Sequence, residues 1–185
     1  MAVQLRAKLR YADLANTPDD RQRYELLDGV LVVTPSPALL HQIVSARLHE
    51  RLREYFRADG GGVVFAAPTD VLLSDHDVLV PDLVVVTNHS LMTARAVEGP
   101  PTIAVEILSP SNVRYDRVRK AERYAAFGVP HYWIVDPQAK RLECYRNTNG
   151  TFVEIVRCSD GQFAHPDFVG LTFDVAGLWN PDWTQ

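Results

Sequence analysis

The residues of this chain best suited to chemistry are carboxylates set inside apolar strands. Asp82 follows Pro81 and precedes Leu83-Val84-Val85-Val86, and Glu106 lies within Ile103-Ala104-Val105-Glu106-Ile107-Leu108. Strand alternation puts Asp82 on one face with Val80, Val84 and Val86, and Glu106 on one face with Ala104 and Leu108. A carboxylate in such surroundings is costly unless it meets a cation, a set of donors or a raised pKa. Two of them on neighbouring strands can share a divalent cation. Hard oxygen ligands suit Mg2+ or Mn2+, with water and a substrate phosphate completing the shell. Such an ion activates water and neutralises charge on a phosphoryl oxygen. Taken singly, each carboxylate has a plainer assignment, as a strand-end turn cap or an Arg partner.

Lys120 is the third reactive group. On a helix over 113–127 it shares a stripe with Tyr124 and Phe127, at i, i+4 and i+7. A sheet-facing Lys either snorkels to solvent or meets carboxylates. Glu106 and Asp82 are its natural partners, because this helix follows directly from the Glu106 strand. A pair with Asp116, four residues earlier, is the alternative.

The elements that must position these groups are legible in outline. Residues 7–15 read as a short helix ended by Asn16-Thr17-Pro18-Asp19-Asp20, and Tyr24–Val33 as a hairpin around Asp28-Gly29. Val44, Leu48, Leu52 and Tyr55 give residues 39–57 a helical apolar stripe, ended by Gly60-Gly61-Gly62. Strands follow at 63–66, 70–73, 80–86 and 102–108. The last two are apolar on both faces, which predicts a central sheet covered on both sides. After the 113–127 helix come a strand over 131–135, a hairpin of 141–146 with 151–157 around Asn149-Gly150, and a short strand over 171–175. The order predicts an α/β or α+β layer architecture around one sheet.

Composition bounds the reading. The 185 residues are 46% hydrophobic and 23% charged, which suits one domain with a real core and excludes a disordered chain. Nineteen basic against 23 acidic residues leave a net charge of -4. That argues against a non-specific nucleic-acid coat protein but not against a local basic cleft. Only Lys8, Lys120 and Lys140 are lysines; the other sixteen basic residues are Arg. Cys144 and Cys158 fit neither a disulfide scaffold nor a zinc site, and the Asn149-Gly150 turn places Cys144 opposite about position 155. The start, MAVQLRAKLRYADL, has no long apolar core, and no apolar run approaches the ~18 residues of a membrane span. The expectation is a cytoplasmic protein with reduced thiols and no membrane partner.

A set of motifs recurs in order: Tyr24-Glu25-Leu26-Leu27-Asp28-Gly29, His41 before a long helix, Pro81-Asp82, Val105-Glu106-Ile107-Leu108-Ser109-Pro110-Ser111, then Asp116, Lys120, Tyr124 and Gly128-Val129-Pro130-His131-Tyr132-Trp133-Ile134-Val135-Asp136-Pro137. Together they resemble the Uma2 family, restriction-endonuclease domains of unknown function within the PD-(D/E)XK nuclease superfamily, over roughly residues 10–178. The resemblance implies a restriction-endonuclease-like α/β (α+β) core, a central mixed sheet flanked by helices, here with an added hairpin. It implies a single domain over 1–185 with its core at about 22–160.

The resemblance also implies a metal-dependent phosphodiesterase site. Asp82 matches the Asp of the PD element and Glu106 the acid of (D/E)XK, both binding Mg2+ (or Mn2+). The lysine of that element belongs two residues after the Glu, where this chain has Leu108. In this family it is displaced to the following helix, and Lys120 fits that place. Glu25, which the family usually carries, is an auxiliary candidate for a further ligand or a water-mediated contact. His41 is a candidate partner for a carboxylate or a phosphate. Their plainer assignments are a strand-edge charge and a helix-entry polar residue. Ser109 and Ser111 suit a turn and a helix cap.

The implied function is a Mg2+- or Mn2+-dependent endonuclease acting on DNA. Lys120 would position the attacking water or help deprotonate it. Arg47, Arg51, Arg53 and Arg57, with Arg114, Arg117, Arg119 and Arg123, could hold the phosphate backbone or form solvated faces among Glu50, Glu54 and Glu122. RNA or a branched substrate fits the same chemistry. The rival reading is a catalytically inactive nuclease-fold module that binds protein or nucleic acid. A small catalytic domain cutting a duplex is expected to pair as a homodimer; the 141–157 hairpin, Trp179 and Trp183 are interface candidates.

Overall fold

The structure, a computed structural model of the chain, describes residues 7–20, 22–58, 61–110 and 113–179. It opens on a 3-10 turn, Tyr11–Asn16, rather than the helix expected over 7–15. None of those residues is buried, so no apolar face is available to extend it. β1 (Arg23–Leu27) and β2 (Val30–Thr34) form the predicted hairpin. Asp28 and Gly29, at φ 52° and 75°, supply the left-handed pair that a two-residue type I′ turn demands. α1 (Leu39–Ala58) buries His41, Val44, Leu48, Leu52 and Phe56. Phe56, not Tyr55, ends the buried stripe, because steps of four keep one seam facing the sheet.

The larger difference falls at Pro81. Of the strand expected over 80–86 only β6 (Leu83–Val86) forms, and residues 80–82 join it to β5 (Asp77–Leu79), a strand not foreseen in the sequence. Pro81 has no N–H to give a ladder, and the chain changes sheets there. β3 (Val63–Ala66), β4 (Val71–Ser74), β7 (Val97–Glu98), β8 (Ile103–Ile107), β9 (His131–Asp136), β10 (Arg141–Thr148) and β11 (Thr151–Cys158) complete two sheets. One is ordered β2-β1-β5-β4-β7, the other β11-β10-β9-β8-β6-β3. The fold is therefore mixed α/β with more than the one sheet expected. Asp82 stands where the two sheets join.

β8 and β9 pair in parallel, and a parallel pair needs a crossover. That crossover carries Lys120. The helix expected over 113–127 runs from 113 to 126, with its middle, Tyr115–Lys120, π-helical before α2 (Ala121–Ala126). β8 is buried on both faces, as its composition predicts. Ile103, Val105 and Ile107 join Leu48, Leu52 and Trp133, while Ala104 packs with Leu108, Tyr124 and Tyr132.

The β10–β11 hairpin turns at Asn149-Gly150, with φ 53° and 82°. A bulge between Cys144 and Tyr145 puts Cys144 opposite Val156, one position beyond the expected 155. Both cysteines are free. β13 (Thr172–Asp174) pairs with β12 (Gln162–Ala164), a strand not foreseen in the sequence. Trp179 is buried in the main core, which removes it as an interface residue; Trp183 and Ser111 lie outside the described residues. Among the described residues no helix is long and apolar enough to cross a membrane.

Candidate active site

Five charged side chains converge behind the junction of the sheets. Glu25 comes from β1, Asp82 from the sheet switch, Glu106 from β8, and Asp116 and Lys120 from the π-helical segment. All are between 1% and 4% exposed. Lys120 Nζ donates to Glu106 Oε1 at 3.0 Å and lies 2.9 Å from Glu25 Oε1 and 3.6 Å from Asp116 Oδ1. Tyr124 donates its hydroxyl to Glu106 Oε1 at 3.2 Å, and the Val80 N–H donates to Glu25 Oε1 at 2.8 Å. The widened π turn directs Asp116 and Lys120 to the sheet while Val118 and Arg119 stay exposed.

Asp82 has its own partners. Oδ1 accepts from Arg23 Nη1 at 2.6 Å, and Oδ2 accepts from the Ile107 N–H at 2.7 Å and from His41 Nε2 at 3.1 Å. Burial pushes this carboxyl up, but His41, Arg23 and the Ile107 amide outweigh it and hold the pKa at about 2. Glu106 moves the other way. Burial raises it well above the ordinary range; Lys120 pulls it down, and Asp116, Asp82 and Glu25 push it further up. Asp116 is raised to about 6 by burial, against the pull of Lys120. Burial lowers Lys120, but Glu106, Glu25 and Asp116 overcome that and raise it well above its usual value. Lys120 is thus a charged donor, not a base. One ammonium faces three carboxylates, so the cluster keeps spare negative charge or a proton.

Asp82, Glu106, Asp116, Lys120, Ser109, Arg23 and His41 line one cavity of about 200 Å3. A wider cleft of about 780 Å3 opens on the other side of Arg23, His41 and Asp82 and runs past Gln42, Ser45 and His49 to Pro68. Among the described residues no group of three His, Cys, Asp or Glu side chains is arranged as a metal cluster. The donor set nonetheless fits Mg2+ or Mn2+. Three hard carboxylates, Asp82, Glu106 and Asp116, line the same cavity, and among the described residues the protein bonds of Glu106 fall on Oε1. Mg2+ commonly takes only one or two carboxylates and fills its octahedron with water and phosphate.

All five residues expected at the site therefore meet: Asp82, Glu106, Lys120, Glu25 and His41. Asp82 also has the Arg partner of its plainer assignment. The sequence reading missed Arg23, though alternation places it on the face of Glu25, and it used Asp116 only as a rival partner for Lys120. The helix arginines divide. Arg117 reaches Glu143 at 2.6 Å and Arg123 grips Asp77 at 2.7 and 2.5 Å, so both hold elements together. Arg47 donates to the Gly177 carbonyl at 3.0 Å. Arg51, Arg53, Arg57, Arg114 and Arg119 are exposed.

A family model described as "Uma2: Putative restriction endonuclease" matches residues 10–176. Among solved structures the chain is similar to one described as "a putative nuclease belonging to DUF820" from Anabaena variabilis. The two share 17% identity over 92% of this chain and 97% of that one, with a TM-score of 0.74. At that identity the likeness concerns the fold. A comparison with curated proteins gave no match.

Proposed function

The chain belongs to the Uma2 family, and from that membership we propose that it is a Mg2+- or Mn2+-dependent endonuclease hydrolysing DNA phosphodiester bonds. The observation that carries the reading is the burial of Asp82 and Glu106 on one cavity, with the Lys120 ammonium 3.0 Å from Glu106. Asp82 and Glu106 would hold the cation, with Glu25 behind them through Lys120. When bound, the cation supplies charge neutralisation at the phosphate and a lowered pKa for water. Lys120 donates to the attacking water and to the charge that builds on phosphorus-bound oxygen. Asp116, raised to about 6, is the carboxylate suited to take the water's proton near neutral pH. Tyr124 fixes the rotamer of Glu106. Attack in line breaks the P–O3′ bond and leaves a 5′-phosphate and a 3′-hydroxyl. A homodimer of single-domain subunits working in the cytoplasm completes the proposal, and RNA is the competing substrate.

The test is nicking of supercoiled plasmid in MgCl2 or MnCl2. Asp82→Asn and Glu106→Gln should each lower the rate by ~10²-fold or more. Residual nicking equal to wild type in Asp82→Asn would mark a contaminant and end the assignment. One observation favours a second reading, a catalytically inactive nuclease-fold module that binds protein or nucleic acid. Both oxygens of Asp82 already have protein donors. Calorimetry with MnCl2 separates the two, since the inactive module would show no binding that Glu106→Gln removes.

A further inference from the structure

We propose that Arg23 is the phosphate-binding residue of this site, held on Asp82 until a divalent cation claims that carboxylate. The inference rests on the nuclease reading above and names the group that would receive the scissile phosphate. Arg23 lines both the 200 Å3 cavity and the 780 Å3 cleft, so it forms part of the wall between the carboxylates and the open groove. Its side chain is 17% exposed, enough to reach the cleft.

Its bonding is incomplete. A guanidinium carries five N–H donors in a planar fork, and the Asp82 contact is a single bond from Nη1. Arg23 Nε is buried and meets no partner among the described residues. Buried donors without acceptors are rare in folded proteins. A fixed guanidinium donor left open beside the cleft points to an anion offering more acceptor oxygens than Asp82 gives. A phosphodiester, with two non-bridging oxygens, matches the fork.

The charge arrangement makes the contact exchangeable. Asp82 cannot serve a guanidinium and a divalent cation at full strength, because the two cations repel at these distances. Arg23 therefore opposes cation binding when the cleft is empty and assists it when a phosphate is there to take the fork. Such coupling between cation and phosphodiester is reciprocal. His41 keeps Oδ2 of Asp82 in place while Arg23 moves away from Oδ1.

The experiment compares wild type, Arg23→Gln and Arg23→Lys. MnCl2 binding is measured by calorimetry without nucleic acid. Binding of a fluorescein-labelled single-stranded oligodeoxynucleotide is followed by anisotropy with and without CaCl2. Arg23→Gln should bind Mn2+ about threefold tighter and the oligonucleotide about tenfold weaker. It should also lose the gain in oligonucleotide affinity that CaCl2 gives wild type. Arg23→Lys should bind Mn2+ like wild type, since a cation still sits on Asp82, but the oligonucleotide more weakly, since the fork is gone. Arg23→Gln that binds Mn2+ no tighter, or the oligonucleotide as wild type does, overturns the inference. If Arg23→Gln does not fold, wild-type oligonucleotide affinity in Arg23→Lys overturns it. Wild type that binds neither probe overturns the nuclease reading and this inference with it.

Discussion

At the scale of the residue, Lys120 decides the electrostatics. It is the one ammonium among Glu25, Glu106 and Asp116, and at 3% exposure it has no solvent to fall back on. Removing one partner of a buried ionic group costs about 3–5 kcal/mol. Lys120→Met should therefore lower stability by about that amount in metal-free buffer, read from urea unfolding. MnCl2 should restore part of the loss, because it returns positive charge to the same carboxylates. A loss that MnCl2 leaves untouched would mean the carboxylates do not bind it. Much of this cluster was legible beforehand. An acid inside Ile103–Leu108 and a Lys at i, i+4 and i+7 with Tyr124 and Phe127 are each costly in apolar surroundings, and bringing them together relieves both. Arg23 was harder to see, because one charge on a five-residue strand looks the same whether it faces solvent or Asp82.

At the scale of the element, the crossover between β8 and β9 must be held at a fixed height over the sheet. Asp77 does this from β5. It is 1% exposed, takes both arms of Arg123 from α2, and accepts from the Asp28 amide at 2.9 Å and the Ser74 hydroxyl at 2.8 Å. Asp77→Ala strips four donors of their acceptor and should cost about 2–3 kcal/mol, with a coupling to Arg123→Ala visible in a double-mutant cycle. Additive effects of the two substitutions would show that the pair does no such clamping. The strand break at Pro81 and the π-helical segment were the elements least legible. From Val80 to Val86 the chain is apolar on both faces except at Asp82, so composition alone joins what Pro81 divides. A π turn differs from an α turn by one residue of slack, which tertiary packing and not local propensity selects.

At the scale of the whole molecule, the far end of the larger sheet carries a separate sensitivity to acid. His165 is 4% exposed and stacks on Trp133 at 5.4 Å, with His131 at 5.3 Å. Its Nδ1 accepts from the Asp167 and Phe168 amides at 3.1 and 3.3 Å, so that nitrogen must be unprotonated. Burial first, then His131, lowers its pKa from 6.5 to about 4. A depressed His pKa means the unfolded chain binds the proton first. The stability it contributes is present above about pH 6.5 and is lost as pH falls toward about 4. His165→Gln should flatten the melting temperature over that window; an unchanged pH slope would place the sensitivity elsewhere. The sequence showed neither the buried histidine nor β12, because each depends on a chain return from residues 171–175 that no local pattern announces.

The separations along the chain also set the entropic cost of assembling the cluster. Glu106 and Lys120 are 14 residues apart and belong to one strand-crossover-strand unit, whereas Glu25 meets the Val80 amide across 55 residues. Short loops close at lower entropic cost, so the Lys120–Glu106 pair is the cheaper of the two contacts to close. The β1–β2 hairpin belongs to the five-stranded sheet, not to the six-stranded one that carries Glu106. Glu25 and Arg23 ride on the same strand, so any displacement of that hairpin would take one carboxylate from Lys120 and the guanidinium from Asp82 together.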